Sequence, residues 1–545
     1  MRKLDIPGEL ANRTIPELLQ EQVRLRADQP HAHFPDQSLS FAQLHEQATR
    51  WARALIAIGV QPGDHVATLM PNCSSWAPVY YGILYAGAAV AAFNSRYKRQ
   101  ELAYTLAHSR AKVLVTTSAH REHADYETLI RSVLPDIEGQ QSPHLRTAAA
   151  PDLKSIVICG EASHGAFLTD AEFLRAADSV AETRLASAQA SRRLDDTAAI
   201  IYTSGTTANP KGCELTHGGI QNCWSTFARI VNLKAGETVW MPMPFFHTGG
   251  IGPMTTILAR GAAFATQPHF EADGVVDFID RLKVDHLYPG FPQLTFPVLE
   301  HPRFDRKRHS FVRSLLNVGP PAMQQRAQSL LPDGAVLLNL FGMTEGSGIV
   351  TFTPWNSSLR VRSEASGLPP PHTDVRVVDP ETLQPCSAGV AGEIQFRGAG
   401  AFKSYYRDAA ATAATIIDGG WVRTGDRGRI DDEGYLVFLG RIKDTLKVGG
   451  ENVAAAEIEA FLQSVPGVRL AQVIGMPDDR MGEVPVAFVE RIDGAAISEA
   501  DVIKACDGEL ARWKIPRRVV FVAEWPMSAT KVQKFRLKEL LPRQT

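Results

Sequence analysis

The stretch Ile200-Ile201-Tyr202-Thr203-Ser204-Gly205-Thr206-Thr207-Ala208-Asn209-Pro210-Lys211-Gly212 begins as an apolar strand and becomes a run of glycine and small hydroxyls closed by a lysine. A loop of this kind can cradle phosphate. Gly205 lets backbone N–H groups approach the oxygens, the hydroxyls of Thr203, Ser204, Thr206 and Thr207 can donate further hydrogen bonds, and Lys211 supplies a mobile positive charge. The Walker A pattern needs glycine where this chain has Pro210 and serine or threonine where it has Gly212, so a P-loop NTPase is disfavoured. The same residue types also make polar surface turns after strands. A second group, Asn339-Leu340-Phe341-Gly342-Met343-Thr344-Glu345, offers a hydroxyl to phosphate at Thr344 and a hard carboxylate oxygen to Mg²⁺ at Glu345. A helix cap is the other common use of such a Thr-Glu pair.

Elements must bring these groups together. Ser40 and Gln43 form a capping-box pattern, and Phe41, Leu44, Ala48, Trp51 and Leu55 recur at helical spacing until Gly59. A turn at Gln61-Pro62-Gly63-Asp64 leads to the apolar run Val66 to Met70, and the helix-then-strand rhythm returns at Leu102 to Ala107 and Val113 to Thr117. Such alternation predicts α/β layers. From about residue 370 short strand-like runs follow (Val375 to Val378, Glu393 to Phe396, Tyr435 to Leu439), broken by Gly, Asp and Pro. After Gly440 the pattern resets: a Gly-Gly turn at 449 and 450, a helix bearing Ile458, Phe461 and Leu462, and apolar runs at Leu470 to Ile474 and Val484 to Val489. The expected fold is α/β, with a large N-terminal domain of layered α/β subdomains and a β-rich subdomain, then a small mobile α+β lid.

At 545 residues the chain exceeds what one core serves, and 44% hydrophobic with 21% charged residues is ordinary for a globular protein. The net charge of -2 gives no global case for nucleic acid or an anionic membrane surface. Six dispersed cysteines without a C-x-x-C pair argue against zinc or a disulfide framework and fit reduced, cytoplasmic thiols. The start MRKLDIPGEL lacks a signal-peptide core. The charge-free stretch between His65 and Arg96 is broken by Pro71, Asn72, Ser74, Ser75 and Pro78, so a buried strand and helix are expected there in place of a membrane span.

The full string from Tyr202 to Gly212 resembles the phosphate loop of the adenylate-forming (ANL) superfamily, which includes acyl-CoA and aryl-CoA synthetases, luciferases and peptide-synthetase adenylation domains. Further family motifs follow in order across nearly the whole chain. Pro244-Phe245-Phe246-His247-Thr248-Gly249-Gly250 resembles the segment whose histidine lies beside the acyl pocket and helps set the route of the incoming thiol. Asn339 to Glu345, Gly342 included, looks like the segment contacting adenine, the α-phosphate and magnesium, with the Phe341 ring where the family has tyrosine. Gly319-Pro320-Pro321 falls where the family has a Gly-Ala-Pro strip against adenine, and proline at 320 removes a backbone donor. In Gly420 to Asp426 the resemblance implies that Asp426 accepts from both ribose hydroxyls; a turn aspartate is the bland alternative.

Gly440-Arg441-Ile442-Lys443-Asp444 and Lys447-Val448-Gly449-Gly450-Glu451-Asn452 match the family's domain boundary. The resemblance implies an AMP-binding domain over 1–440 and a lid over 441–545, with Arg441 reaching ribose or phosphate, a hinge near Lys443, and Gly449-Gly450 lining a thiol tunnel. The family's adenylation lysine follows a Gly absent here, and Pro526 to Phe535 is one residue shorter; Lys531 aligns better than Lys534. Ser404-Tyr405 stands where Gly-Tyr is common and is read as remote from the chemistry.

The implied reaction is attack of a carboxylate on the α-phosphate of ATP, giving an acyl adenylate and pyrophosphate, then transfer to coenzyme A. Catalytic roles fall to Lys531, His247, Thr344 and Glu345, the last also the Mg²⁺ ligand. The partner is a small carboxylic acid, and a homodimer is compatible with the reading. Two alternatives stay open: an adenylating enzyme that loads an acyl carrier protein, and a nucleotide-binding regulatory protein with impaired catalysis. Amino-acid activation is disfavoured because Met241 to Phe246 holds no acid for a substrate amine.

Overall fold

The computed structural model describes all residues except 163–164, 204–208, 449–450, 479, 528–531 and 542–545, with Asn452 described as backbone only. The charge-free stretch resolves into the strand His65–Leu69, the helix Trp76–Tyr85 and the strand Ala89–Ala92, parallel to the first. Every residue of Trp76–Tyr85 is buried, as a helix apolar on all sides requires. It packs against the helix Phe41–Ala57, whose capping box forms as expected: Gln43 N–H donates to Ser40 Oγ (3.2 Å) and Ser40 N–H to Gln43 Oε1 (2.9 Å). Phe41, Leu44, Ala48, Trp51 and Leu55 are all buried. Among the described residues no helix is long and apolar enough to cross a membrane.

Two sheets carry the large body. The eight-stranded one runs in the order Ser404–Tyr405, Lys211–Thr216, Thr197–Thr203, Ala89–Ala92, His65–Leu69, Val113–Thr117, Ser155–Cys159, Phe167–Thr169. It is parallel from Thr197–Thr203 onward and antiparallel at the Lys211–Thr216 edge. The seven-stranded sheet has the order Val336–Leu338, Ser314–Asn317, His286–Gly290, Thr238–Trp240, Ala263–Ala265, Pro30–His33, Ser38–Ser40, with only the last pair antiparallel. Parallel strands all end at the same edge. The segments that follow Thr197–Thr203, Thr238–Trp240, Ser314–Asn317 and Val336–Leu338 therefore leave the carboxyl ends of their sheets, where open α/β sheets bind ligands. Those segments hold Ser204 to Lys211, His247, Gly319-Pro320 and Asn339 to Glu345.

The expected β-rich part is a five-stranded antiparallel sheet built from Thr373–Val378, Gly392–Gly398, Trp421–Ile430, Ile416–Ile417 and Leu436–Arg441. Its last strand ends at Arg441, a single 3₁₀ turn spans Ile442–Asp444, and a second five-stranded sheet begins at Thr445. In that sheet Thr445–Val448 and Glu451–Ala454 pair antiparallel with Val448 opposite Glu451; Gly449 and Gly450 lie outside the described residues. The helix Ala455–Leu462 covers this sheet, and the apolar clusters here draw only on residues from Leu446 onward. The C-terminal part thus has a core of its own, as a separate domain must.

Candidate active site

A cleft of about 3100 Å³ lies between the sheet edges of the large body and the C-terminal part. Thr203, Lys211, His247, Gly319 and Pro320 line it, as do Asn339, Phe341, Gly342, Thr344 and Glu345, and so do Asp426, Arg441 and Lys443. These described candidate residues thus face one space. Ser204, Gly205, Thr206, Thr207, Gly449, Gly450 and Lys531 fall outside the described residues.

The segment around Glu345 is a hairpin. Leu340–Phe341 pairs with Thr351–Phe352, and a 3₁₀ turn at Thr344–Gly346 sits near its tip, so Thr344 and Glu345 project from a loop and do not cap a helix. Gly342 is required by closeness: a Cβ there would lie 1.8 Å from the carbonyl oxygen of Gly348. Glu345 is buried and accepts a 2.6 Å hydrogen bond at Oε1 from the Tyr405 hydroxyl. Burial and this carboxylate push the Tyr405 phenol well above its usual range, so it stays a donor. Lys211 Nζ stands 4.8 Å from the centre of the Tyr405 ring, a cation–π distance. Tyr405 therefore links the lysine of the phosphate loop to the candidate metal carboxylate, which corrects the reading of Ser404-Tyr405 as remote. Ser404 itself bonds to Glu214 on the adjoining strand.

Asp426 sits inside the strand Trp421–Ile430, not in a turn, directly opposite Arg441 in the register. Arg441 Nε lies 3.5 Å from Asp426 Oδ1, so the two residues read as separate ribose contacts form one ion pair at the cleft wall. Partial burial and the charge of Arg441 lower the pKa of Lys443 below the usual lysine range. The Asn339 side chain is spent on backbone, donating to Ala365 O (3.0 Å) and accepting from Leu340 N–H (2.9 Å), so it shapes the loop that presents Phe341. The Phe341 ring stacks on Phe438 at 5.7 Å and 27°.

On the other side His247 precedes the helix Thr248–Arg260 and its ring lies 4.7 Å from that of Phe246. Asn72 holds this segment from the neighbouring sheet, donating to Met243 O (3.0 Å) and accepting from Phe245 N–H (2.9 Å). Asn317 and Gly250, though next to cleft residues in the sequence, do not line the cleft. Asn317 is fully buried and bonded to Thr295 and Gln324, and Gly250 is small because a Cβ would lie 2.3 Å from Pro244 O. Trp224, Met243 and Tyr288 line the cleft instead. Trp224 lies on a helix and Tyr288 on a strand whose sequences show only apolar periodicity, and Met243 lies in the bend before His247, so no local signal marks them.

Residues 19–406 match the family described as AMP-binding enzyme, and residues 457–531 match the AMP-binding enzyme C-terminal domain. The chain belongs to the AMP-binding enzyme family. Among relatives of this AMP-binding enzyme, YngI of Bacillus subtilis (strain 168), whose name classes it with acyl-CoA synthetases, is 32% identical over 98% of both chains. The mitochondrial medium-chain acyl-CoA ligase ACSF2 of Bos taurus is 29% identical over 97% of this chain and 88% of its own. Among solved structures, ATP-bound MatB from Rhodopseudomonas palustris superposes with a TM-score of 0.81 at 28% identity, covering 97% of this chain and 99% of that one. The anthranilate CoA ligase AuaEII, in complex with anthranoyl-AMP, gives 0.83 at 26% identity over 99% and 98%. This AMP-binding enzyme is accordingly an ATP-dependent acid–thiol ligase of the acyl-CoA synthetase type.

In the C-terminal domain of the AMP-binding enzyme, Lys534 Nζ lies 2.5 Å from Glu459 Oε1 and 4.0 Å from Asp444 Oδ2. Glu459 also accepts from Val473 N–H (2.7 Å), and burial raises its pKa against the pull of Lys534. Lys534 is thereby committed to packing within its own domain.

Proposed function

We propose that the cleft converts a small carboxylic acid, ATP and coenzyme A into an acyl-CoA thioester through an acyl adenylate, with residues 1–440 as adenylating domain and 441–545 as lid. The observation that carries this reading is the convergence of Lys211, His247, Thr344, Glu345, Asp426 and Arg441 on one cleft from five separate segments. The substrate carboxylate attacks the α-phosphate beside Thr344, and pyrophosphate leaves toward Lys211 and the loop from Thr203 to Thr207. Asp426 and Arg441 hold the ribose, while Gly319, Pro320, Gly342 and Phe341 enclose adenine. Lys531 would add its charge to the transferring phosphate; the ion pair of Lys534 with Glu459 supports Lys531 over Lys534 in that role. Coenzyme A is preferred to a carrier protein as acceptor because the named relatives are CoA ligases.

Glu345 fits a hard divalent cation: it is a buried carboxylate joined through Tyr405 to Lys211, with no ion-pair partner among the described residues. Mg²⁺ held there would neutralise charge on the nucleotide phosphates. For the second half-reaction a turn of the lid about Lys443 would withdraw Lys531 and bring Gly449-Gly450 to the thiol path.

The test is pyrophosphate release over a panel of acids with Mg-ATP, with and without coenzyme A, and direct measurement of thioester. Lys531→Ala is expected to abolish adenylate formation yet keep thioester formation from supplied acyl adenylate. Turnover that requires a carrier protein, or the same split appearing in Lys534→Ala, would overturn the corresponding assignment.

A further inference from the structure

One wall of the cleft is formed by a tightly packed indole. Trp224, on the helix His217–Ile230, is 1% exposed and donates from Nε1 to Ser347 O at 2.7 Å. Two glycine backbones press on it: an added Cβ would lie 1.8 Å from Nε1 at Gly252, and 2.7 Å from the ring at Gly348. Phe227 and Tyr288 each stand edge-on at 6.0 Å, and the fully buried Met254 and Ile257 belong to the same apolar cluster. Gly348 lies three residues after Glu345, and Gly249, two after His247, would place a Cβ 3.6 Å from the Tyr288 hydroxyl. The wall at Trp224 and Tyr288 is therefore where an acyl group would extend once its carboxylate is at Thr344.

In that apolar wall one polar atom stands out. Tyr288, the middle residue of the strand His286–Gly290, lines the cleft, and its hydroxyl has no hydrogen-bond partner among the described residues. A phenol hydroxyl that faces the cleft without a protein partner is open to a ligand group, and a site that bonds such a group discriminates against the acid that lacks it.

Building on the ligase reading above, we infer that this pocket takes a compact carboxylic acid, not a long fatty chain, and that the acid carries a hydroxyl, amino or carbonyl group on its acyl part that bonds to Tyr288 Oη. Trp224 sets the depth and Tyr288 reads the polar group.

ATP–pyrophosphate exchange isolates adenylate formation from the thiol step. Octanoate and benzoate, each against its hydroxy and amino derivatives, and hexadecanoate form the panel. Wild type is expected to favour at least one polar derivative over its parent acid by about tenfold in kcat/KM, and to use hexadecanoate poorly. Tyr288→Phe, which keeps the ring, is expected to bring that ratio down about tenfold. Trp224→Ala, or Trp224→Phe should the smaller residue fail to fold, is expected to move the preference toward longer acids. Equal use of hexadecanoate by wild type, or a ratio untouched by Tyr288→Phe, overturns the inference while leaving the ligase reading intact. Exchange with none of the acids overturns both.

Discussion

The Tyr405 hydroxyl donates to Glu345 while its ring faces Lys211, so one side chain steadies both the carboxylate and the cation of the proposed phosphate site. Tyr405→Phe keeps the ring and removes the donor. It is expected to raise the Mg²⁺ concentration for half-maximal pyrophosphate release by about tenfold, as loss of a partner behind a metal ligand commonly does. An unchanged Mg²⁺ titration would show that Glu345 needs no such support. At this scale the sequence discloses residues whose chemistry is written locally. Thr344 next to Glu345 and the hydroxyl run after Tyr202 declare themselves by type and spacing. Tyr405 does not, because it reaches Glu345 across 60 positions and reads alone as one more strand aromatic. Nor could spacing reveal that Asp426 and Arg441 would be strand neighbours.

Strands and helices explain how distant motifs share an edge. Four of the segments follow strands of parallel sheets, and within each sheet the carboxyl ends share one edge. One of the four continues into the hairpin around Glu345, which depends on a backbone approach that leaves Gly342 no room for a side chain. Gly342→Ala is expected to cost about 2 kcal/mol or more through overpacking, read as a lowered urea midpoint, together with loss of adenylate formation. A variant as stable as wild type would mean that the loop relaxes freely. The helix Phe41–Ala57 and the strand–helix pair after His65 were readable because capping and apolar periodicity are local properties. The pairing of Pro30–His33 with Ala263–Ala265 was not, since it joins segments more than two hundred residues apart and no periodicity specifies a distant partner.

At the scale of the molecule, the C-terminal part stands on its own apolar clusters and on the pair between Lys534 and Glu459. Lys534→Ala strands a buried carboxylate and is expected to destabilise that domain by about 3 kcal/mol near neutral pH. The sign with pH follows from the raised pKa of Glu459. The folded state holds its proton more tightly than the unfolded chain, so the deficit shrinks as pH falls through the folded pKa and is full above it. Thermal melts of wild type and variant from neutral to acidic pH measure this, and a deficit that grows on acidification would contradict the pairing. The two-domain layout was legible from the change of texture after Gly440. The cleft's walls were not, because they arise where two independently packed bodies face each other.

That division of cores also bears on synthesis. Since the clusters beyond Leu446 contain nothing from earlier residues, the first body can complete its interior while the remaining stretch is still being made. At ordinary elongation rates that interval lasts about 5–20 s. During it the nascent chain would hold a nucleotide cradle with no closing half, able to bind but not to turn over.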